Sequence, residues 1–246
     1  MSTYQDQRPP QTTAIHVTET QIPATIALQP IAAPSVLGLF GFAGATFIVA
    51  AHMAGWYGSD SSGLYLAPFA AFFGGLAQFM AGMWAYRGRD EIATAMHGMW
   101  GAFWMAYGLL NLLFATGTLT EPKPEFAELG FWFIALGAIT FMGMVGAAVE
   151  GNFGVTAVLG TLGAGSALAA IAFLTGGDGW EKAAGYVFIG SAALAFYVAS
   201  AMMIGAAAGR VVLPLVKAKH EANVPGEHVT IPIEWELGEP GVRKGQ

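Results

Sequence analysis

The stretch Ser35-Val36-Leu37-Gly38-Leu39-Phe40-Gly41-Phe42-Ala43-Gly44-Ala45-Thr46-Phe47-Ile48-Val49-Ala50-Ala51-His52-Met53-Ala54-Gly55-Trp56 decides the fold. It carries no charged side chain. Coiled as an α-helix at about 1.5 Å per residue, it crosses the ~30 Å hydrocarbon core of a bilayer. Lipid offers the backbone no hydrogen-bond partners, so helix is the conformation such a run must take there. Five more runs have the same character, at 64–84, 94–116, 129–149, 155–175 and 183–205. None of the ten Lys and Arg or sixteen Asp and Glu falls inside any of the six. A buried soluble core does not produce six such runs in 246 residues. The sequence therefore predicts an all-α membrane protein with six transmembrane helices. Charged residues make up 11% of the chain, against about a quarter in a soluble domain, which argues against an ordinary soluble enzyme or a disordered chain. A net charge of −6 leaves no basic footprint for nucleic acid. Cysteine is absent, and with it disulfides and thiolate metal sites.

The connections, at 57–63, 85–93, 117–128, 150–154 and 176–182, hold the turn residues and the charges. Connections this short make sequential helices antiparallel neighbours in one bundle. The predicted organisation is a polar N-terminal tail at 1–33, a six-helix transmembrane domain at 34–214 and a C-terminal tail at 215–246. The N-terminal tail contains Arg8-Pro9-Pro10 and lacks the pattern of a cleaved signal peptide, so the first span is expected to act as the targeting signal. In the C-terminal tail, Val229 to Leu237 alternates like a short strand, although Pro232 demotes it to an extended segment. Trp56, Tyr57, Tyr65, Trp84, Tyr86, Trp132, Trp180 and Tyr186 sit at span ends, where interfacial rings belong. Arg87, Arg89, Arg210, Lys217 and Lys219 lie on one side of the bundle, and only Lys123 and Lys182 on the other. The richer side is expected to be cytoplasmic, with both termini inside a cell (inner) membrane.

Polar side chains are few within the spans, and those that stand out are His52, Gln78, His97, Asn111, Thr140, Thr161, Ser166, Ser191, Tyr197 and Ser200. There is no mid-depth carboxylate on which to build an ion pump. A pore for a small neutral or singly charged solute remains available. Glycine and alanine faces allow close helix approach. On the third span His97, Trp100 (or Gly101), Trp104, Tyr107 and Asn111 follow helical spacing and share one face. That face reads either as a packed seam or as a pathway lining. No zinc-protease, nucleophile-elbow or phosphate-loop motif is present, so no catalytic residue, metal or cofactor is expected.

Three stretches go beyond composition. Pro34 to Phe42 enters the first span, with His52 and Gly55 further on. Phe72-Phe73-Gly74-Gly75-Leu76-Ala77-Gln78-Phe79-Met80-Ala81-Gly82-Met83-Trp84 leads on to Trp100-Gly101-Ala102-Phe103-Trp104. Gly209-Arg210-Val211-Val212-Leu213-Pro214 follows the sixth span, with Tyr197 upstream. In residues and order these resemble the acetate uptake transporter family over about 33–215. The resemblance implies six-helix protomers in a hexameric ring, each with its own pore for small monocarboxylates. It implies an Asn-Pro-Ala-Pro-Leu-Gly-Leu signature, which here reads Ala33-Pro34-Ser35-Val36-Leu37-Gly38-Leu39, without the Asn and the second Pro. It places an apolar constriction at Phe42, Trp100 and Leu162, with Thr161 beside it. Trp100 stands where the family has Tyr, which enlarges the ring and removes an acceptor. The family's acidic residue at the end of span two is Ala85 here, while His52 and Gln78 are retained.

The expected function is therefore a membrane channel or transporter for acetate and related small monocarboxylates, extending to succinate. Leu37, Gln78, Trp104, Asn111 and Tyr197, with Thr161, are the candidate pore-lining and head-group residues. The expected partners are the solute, the lipid bilayer and further copies of the chain. Three other readings stand beside it: a proton-coupled carboxylate symporter using His52 or His97, an ammonium or neutral-solute conduit, and a membrane sensor or scaffold acting through the C-terminal tail.

Overall fold

Pro34 opens the first helix, a position where its missing N–H leaves nothing unpaired. The computed structural model describes residues 31–59 and 61–218. Most of the expected N-terminal tail, the C-terminal tail from 219 onward and the strand-like stretch at 229–237 lie outside the described residues.

Six helices are long and apolar enough to cross a membrane: α1 Pro34–Met53, α2 Ser62–Gly88, α3 Glu91–Ala115, α4 Ala127–Val149, α5 Phe153–Thr175 and α6 Asp178–Ala208. Each coincides with one expected span. Their ends have local causes. The Asp90 carboxylate accepts the Ala93 N–H at 2.7 Å and caps α3. The Asn152 side chain does the same for Val155 at the start of α5. Arg89 ends α2 in the left-handed region at φ 55°.

α2 is not α-helical throughout. Residues Ala70–Ala77 form a π-helix, bracketed by α-helical turns. Pro68 lies two residues upstream and has no N–H to give the ladder, and Gly74-Gly75 loosens the stretch from within. Each extra residue in such a segment carries the following side chains round by about 100° relative to a continuous α-helix. The face that Gln78 presents is therefore set by this stretch and not by simple 3.6-residue counting.

Consecutive helices pack side by side, and α1 against α6 closes the ring. Lipid-facing side chains give helices in a bilayer no hydrophobic reason to associate, so close contact and hydrogen bonds must hold the bundle. Two glycines show how close the approach is. A methyl group on Gly74 would lie 2.6 Å from Ala45 Cβ and 2.7 Å from the Trp104 ring, so α1, α2 and α3 meet there only because Gly74 has no side chain. A methyl on Gly38 would sit 2.5 Å from the His97 imidazole. Polar ties complete the core: Ser191 Oγ donates to the Val158 carbonyl across α6 and α5, and Trp100 Nε1 donates to Thr140 Oγ1 across α3 and α4 at 3.0 Å.

After α6 the chain turns back. Val211 to Ala218 runs over the start of α5, where the Phe153 N–H donates to the Val216 carbonyl and the Ala218 N–H donates to the Gly151 carbonyl. The Tyr197 hydroxyl donates to the Pro214 carbonyl at 2.8 Å.

Candidate functional site

The ring of helices encloses two cavities. The smaller, about 140 Å³, lies toward the starts of α1, α3 and α5. Ser35, Leu39, Gln78, Met96, His97 and Val158 are among its walls, and Asp90, Glu150 and Lys217 lie at its outer end. The larger, about 630 Å³, lies toward the opposite ends of the same helices. Thr46, His52, Phe103, Trp104, Tyr107 and Asn111 line it, with Glu121, Lys123 and Glu181 among its outer residues. A site needs only about 10–15 Å³ on this scale to hold one water, so both are roomy enough for a hydrated small solute.

Among the described residues Trp100 is the one that lines both cavities. Phe42 and Leu162 join it at the inner end of the smaller one, and each of the three is only 2% exposed. The Phe42 and Trp100 rings meet edge to face at 6.1 Å, and Trp100 meets Phe103 at 5.4 Å. The hydrogen bond to Thr140 fixes the indole, and Thr140 is itself anchored by donating to the Leu136 carbonyl. Phe42, Trp100 and Leu162 thus form an apolar cluster, a plug in shape, where the two cavities share Trp100.

Polar groups flank the plug. Among the described residues, four buried side-chain atoms have no hydrogen-bond partner: Thr46 Oγ1, Gln78 Oε1, His97 Nδ1 and Trp104 Nε1. Gln78 and His97 line the smaller cavity, and Thr46 and Trp104 the larger. A buried polar atom without a partner is destabilising, and native folds retain such atoms where a ligand or water completes them. Thr46 and Trp104 each have a free donor on the same side of the plug, which suits a carboxylate. Thr46 was not among the expected site residues. A threonine in an otherwise apolar run gives no sign of which way it faces, and only its burial at the larger cavity identifies it.

The remaining expected residues divide. Gln78 and Trp104 are buried at the cavities, and Asn111 lines the larger one while donating to the Tyr107 carbonyl at 2.9 Å. His52 stands near the larger cavity's outer end with its ring 5.9 Å from Tyr57. Leu37 is 48% exposed on the outside of α1 and lines neither cavity. Thr161 lines neither cavity, and its hydroxyl is spent on the Ala157 and Val158 carbonyls of its own helix. Tyr197 is tied to the returning segment. In the signature, Leu39 lines the smaller cavity, Gly38 makes room for His97, and Pro34 serves the helix start.

Known proteins resemble the chain in family, sequence and fold. The family described as GPR1/FUN34/yaaH matches residues 18–218. The chain is 29% identical over 187 residues to the succinate-acetate/proton symporter SatP of Escherichia coli strain K12, which spans 75% of this chain and 95% of that protein. It is 26% identical over 189 residues to the acetate transporter protein patA of Aspergillus clavatus, covering 73% and 76%. It is 28% identical over 182 residues to the ammonia transport outward protein 2 of Saccharomyces cerevisiae, covering 72% and 64%. Among solved structures, that of the bacterial acetate channel SatP superposes with a TM-score of 0.69 at 26% identity, covering 75% of this chain and 99% of that one.

Proposed function

The chain belongs to the GPR1/FUN34/yaaH family, and on that premise we propose that it passes acetate and related small carboxylates, succinate included, through a pore within each protomer. The observation that carries this reading is the pair of chambers sharing Trp100, with an apolar plug between them and unpartnered polar groups on both sides. A small carboxylic acid titrates near the Glu value of about 4.3, so at neutral pH it arrives as an anion. An anion is expensive to desolvate among apolar rings. Thr46 and Trp104 on one side, and Gln78 and His97 on the other, hold the head group before and after that crossing. Phe42, Trp100 and Leu162 gate it by size and by excluding water.

The protomers assemble as a hexameric ring in the cell membrane, with both termini cytoplasmic. This orientation rests on the excess of Arg and Lys at the smaller cavity's end of the bundle, and places the larger cavity outside. The protein acts as a transporter and not as an enzyme. The decisive experiment is uptake of radiolabelled acetate into liposomes holding the purified protein, with competition by lactate, succinate and ammonium. Saturable uptake suppressed by small carboxylates supports the proposal. Uptake suppressed by ammonium alone favours a conduit like the yeast relative's named activity and overturns it.

One observation favours proton coupling as a second reading. His97 is buried beside the plug with Nδ1 unpartnered, and the similar Escherichia coli protein is named a proton symporter. Acetate current without accompanying proton flux would exclude it.

A further inference from the structure

The segment after α6 is built to hold one side chain in place. Val211, Leu213, Leu215 and Lys217 are half-buried while Val212, Pro214, Val216 and Ala218 are exposed, the alternation of an extended chain lying on a surface. Val216 has φ 54°, an outlying conformation for a β-branched residue. Tethers on both sides impose it. The Val216 carbonyl accepts from Phe153 N–H, the Ala218 N–H reaches the Gly151 carbonyl, and Tyr197 holds Pro214. Gly154 completes the seat, since a methyl there would lie 2.7 Å from the Leu215 carbonyl oxygen.

The outcome of that geometry is that Leu215 and Lys217 become walls of the smaller cavity. Asp90 and Glu150 stand at the same mouth. Burial, reinforced by the Asp90 and Glu91 carboxylates, raises the Glu150 carboxyl above its ordinary value, and Lys217 works against that rise. Among the described residues lining this cavity Lys217 is the one Lys or Arg. Without it, the mouth would present two carboxylates to an approaching anion.

We propose that Lys217, held at the cavity mouth by the 211–218 strap, is the specificity residue that admits carboxylate anions to this end of the pathway. The proposal rests on the transport reading above. Oppositely charged clefts raise the local concentration of a charged solute, and the effect fades with ionic strength.

The test is equilibrium exchange of labelled acetate across proteoliposomes, which reads both membrane orientations together. Wild type, Lys217→Gln, Lys217→Arg and Tyr197→Phe are compared at ionic strengths of about 0.01 M and about 1 M, where the screening length falls from about 30 Å to about 3 Å. For Lys217→Gln we expect the half-saturating acetate concentration to rise roughly tenfold at low ionic strength, the lower end of what a charged cleft contributes. At high ionic strength it should converge on wild type. Lys217→Arg should retain wild-type behaviour, and Tyr197→Phe, which releases the strap at Pro214, should show a weaker form of the Gln defect. Lys217→Gln behaving as wild type at both ionic strengths, or losing exchange equally at both, overturns the placement of Lys217 alone. Wild type that exchanges no acetate at either ionic strength overturns the transport reading itself.

Discussion

Replacing Trp100 with alanine removes the only side chain common to both chambers, and the consequences can be sized from its surroundings. The indole is 2% exposed, meets Phe42 and Phe103 edge to face, and donates one hydrogen bond to Thr140. Two such ring pairs contribute about 0.5–1.5 kcal/mol each, and an interhelical hydrogen bond in a membrane averages about 0.6 kcal/mol. The variant should therefore lose roughly 2–4 kcal/mol of stability, close to the about 3–5 kcal/mol typical of aromatic-to-alanine changes in cores. The same deletion joins the chambers. Stranding a polar group in an apolar site costs about 1–3 kcal/mol in proteins, and a wetted opening removes that barrier, so acetate flux should rise by about 5- to 150-fold. Larger acids such as lactate should gain more than acetate, because the plug restricts by size. The assay is initial uptake of labelled acetate and lactate into proteoliposomes, after size-exclusion chromatography and circular dichroism show that the variant is folded. A folded Trp100→Ala protein with unchanged flux and unchanged acetate-to-lactate preference would refute the assignment of the plug.

Other outcomes follow from single contacts. Trp104→Phe and Thr46→Val each remove an unpartnered buried donor. They should weaken apparent acetate affinity by at least about tenfold, the value of one hydrogen bond to a charged group, while leaving thermal stability unchanged or raised. A fall in melting temperature without loss of affinity would show that these groups serve packing instead. Gly38→Ala drives a methyl into the His97 ring and should cost about 1–3 kcal/mol, with His97→Ala in the same chain restoring the loss in a thermal melt. Glu150 keeps its proton to higher pH in the folded chain than in the unfolded one, principally because neighbouring atoms partly desolvate it. The folded state then binds more protons than the unfolded state above the ordinary value of 4.5, so stability falls as pH rises through that window. Glu150→Gln should flatten the fall, and melting temperatures of the solubilised protein from pH 4.5 upward would show it.

Much of the molecule was legible in the order of its residues. All six helices stand where charge-free runs of bilayer length placed them, because crossing lipid is a demand on length and composition that local sequence meets by itself. Phe42, Trp100 and Leu162 are named through resemblance alone, since they lie on three different helices and no spacing relates them. Gln78 stands out as a rare polar group in an apolar run and Trp104 as part of the third span's aromatic face, and both are buried at the cavities.

What the chain order could not express was direction. Helices that face lipid on one side and packed neighbours on the other are apolar nearly all round, so apart from the His97-to-Asn111 face of α3 no stripe marks the inner side. The Thr161 and Thr46 hydroxyls look alike in sequence, yet the first turns back onto its own helix and the second is buried unpartnered at the larger cavity. Helix rotation decides between them, and rotation is set by contacts such as Gly74 against Ala45 and Trp104, and by the π-helical stretch that shifts the phase of α2. The returning strap is likewise a product of tertiary structure. Nothing local marks Lys217 as a cavity residue, and it becomes one only because α5 and Tyr197 offer the partners that pin its backbone there.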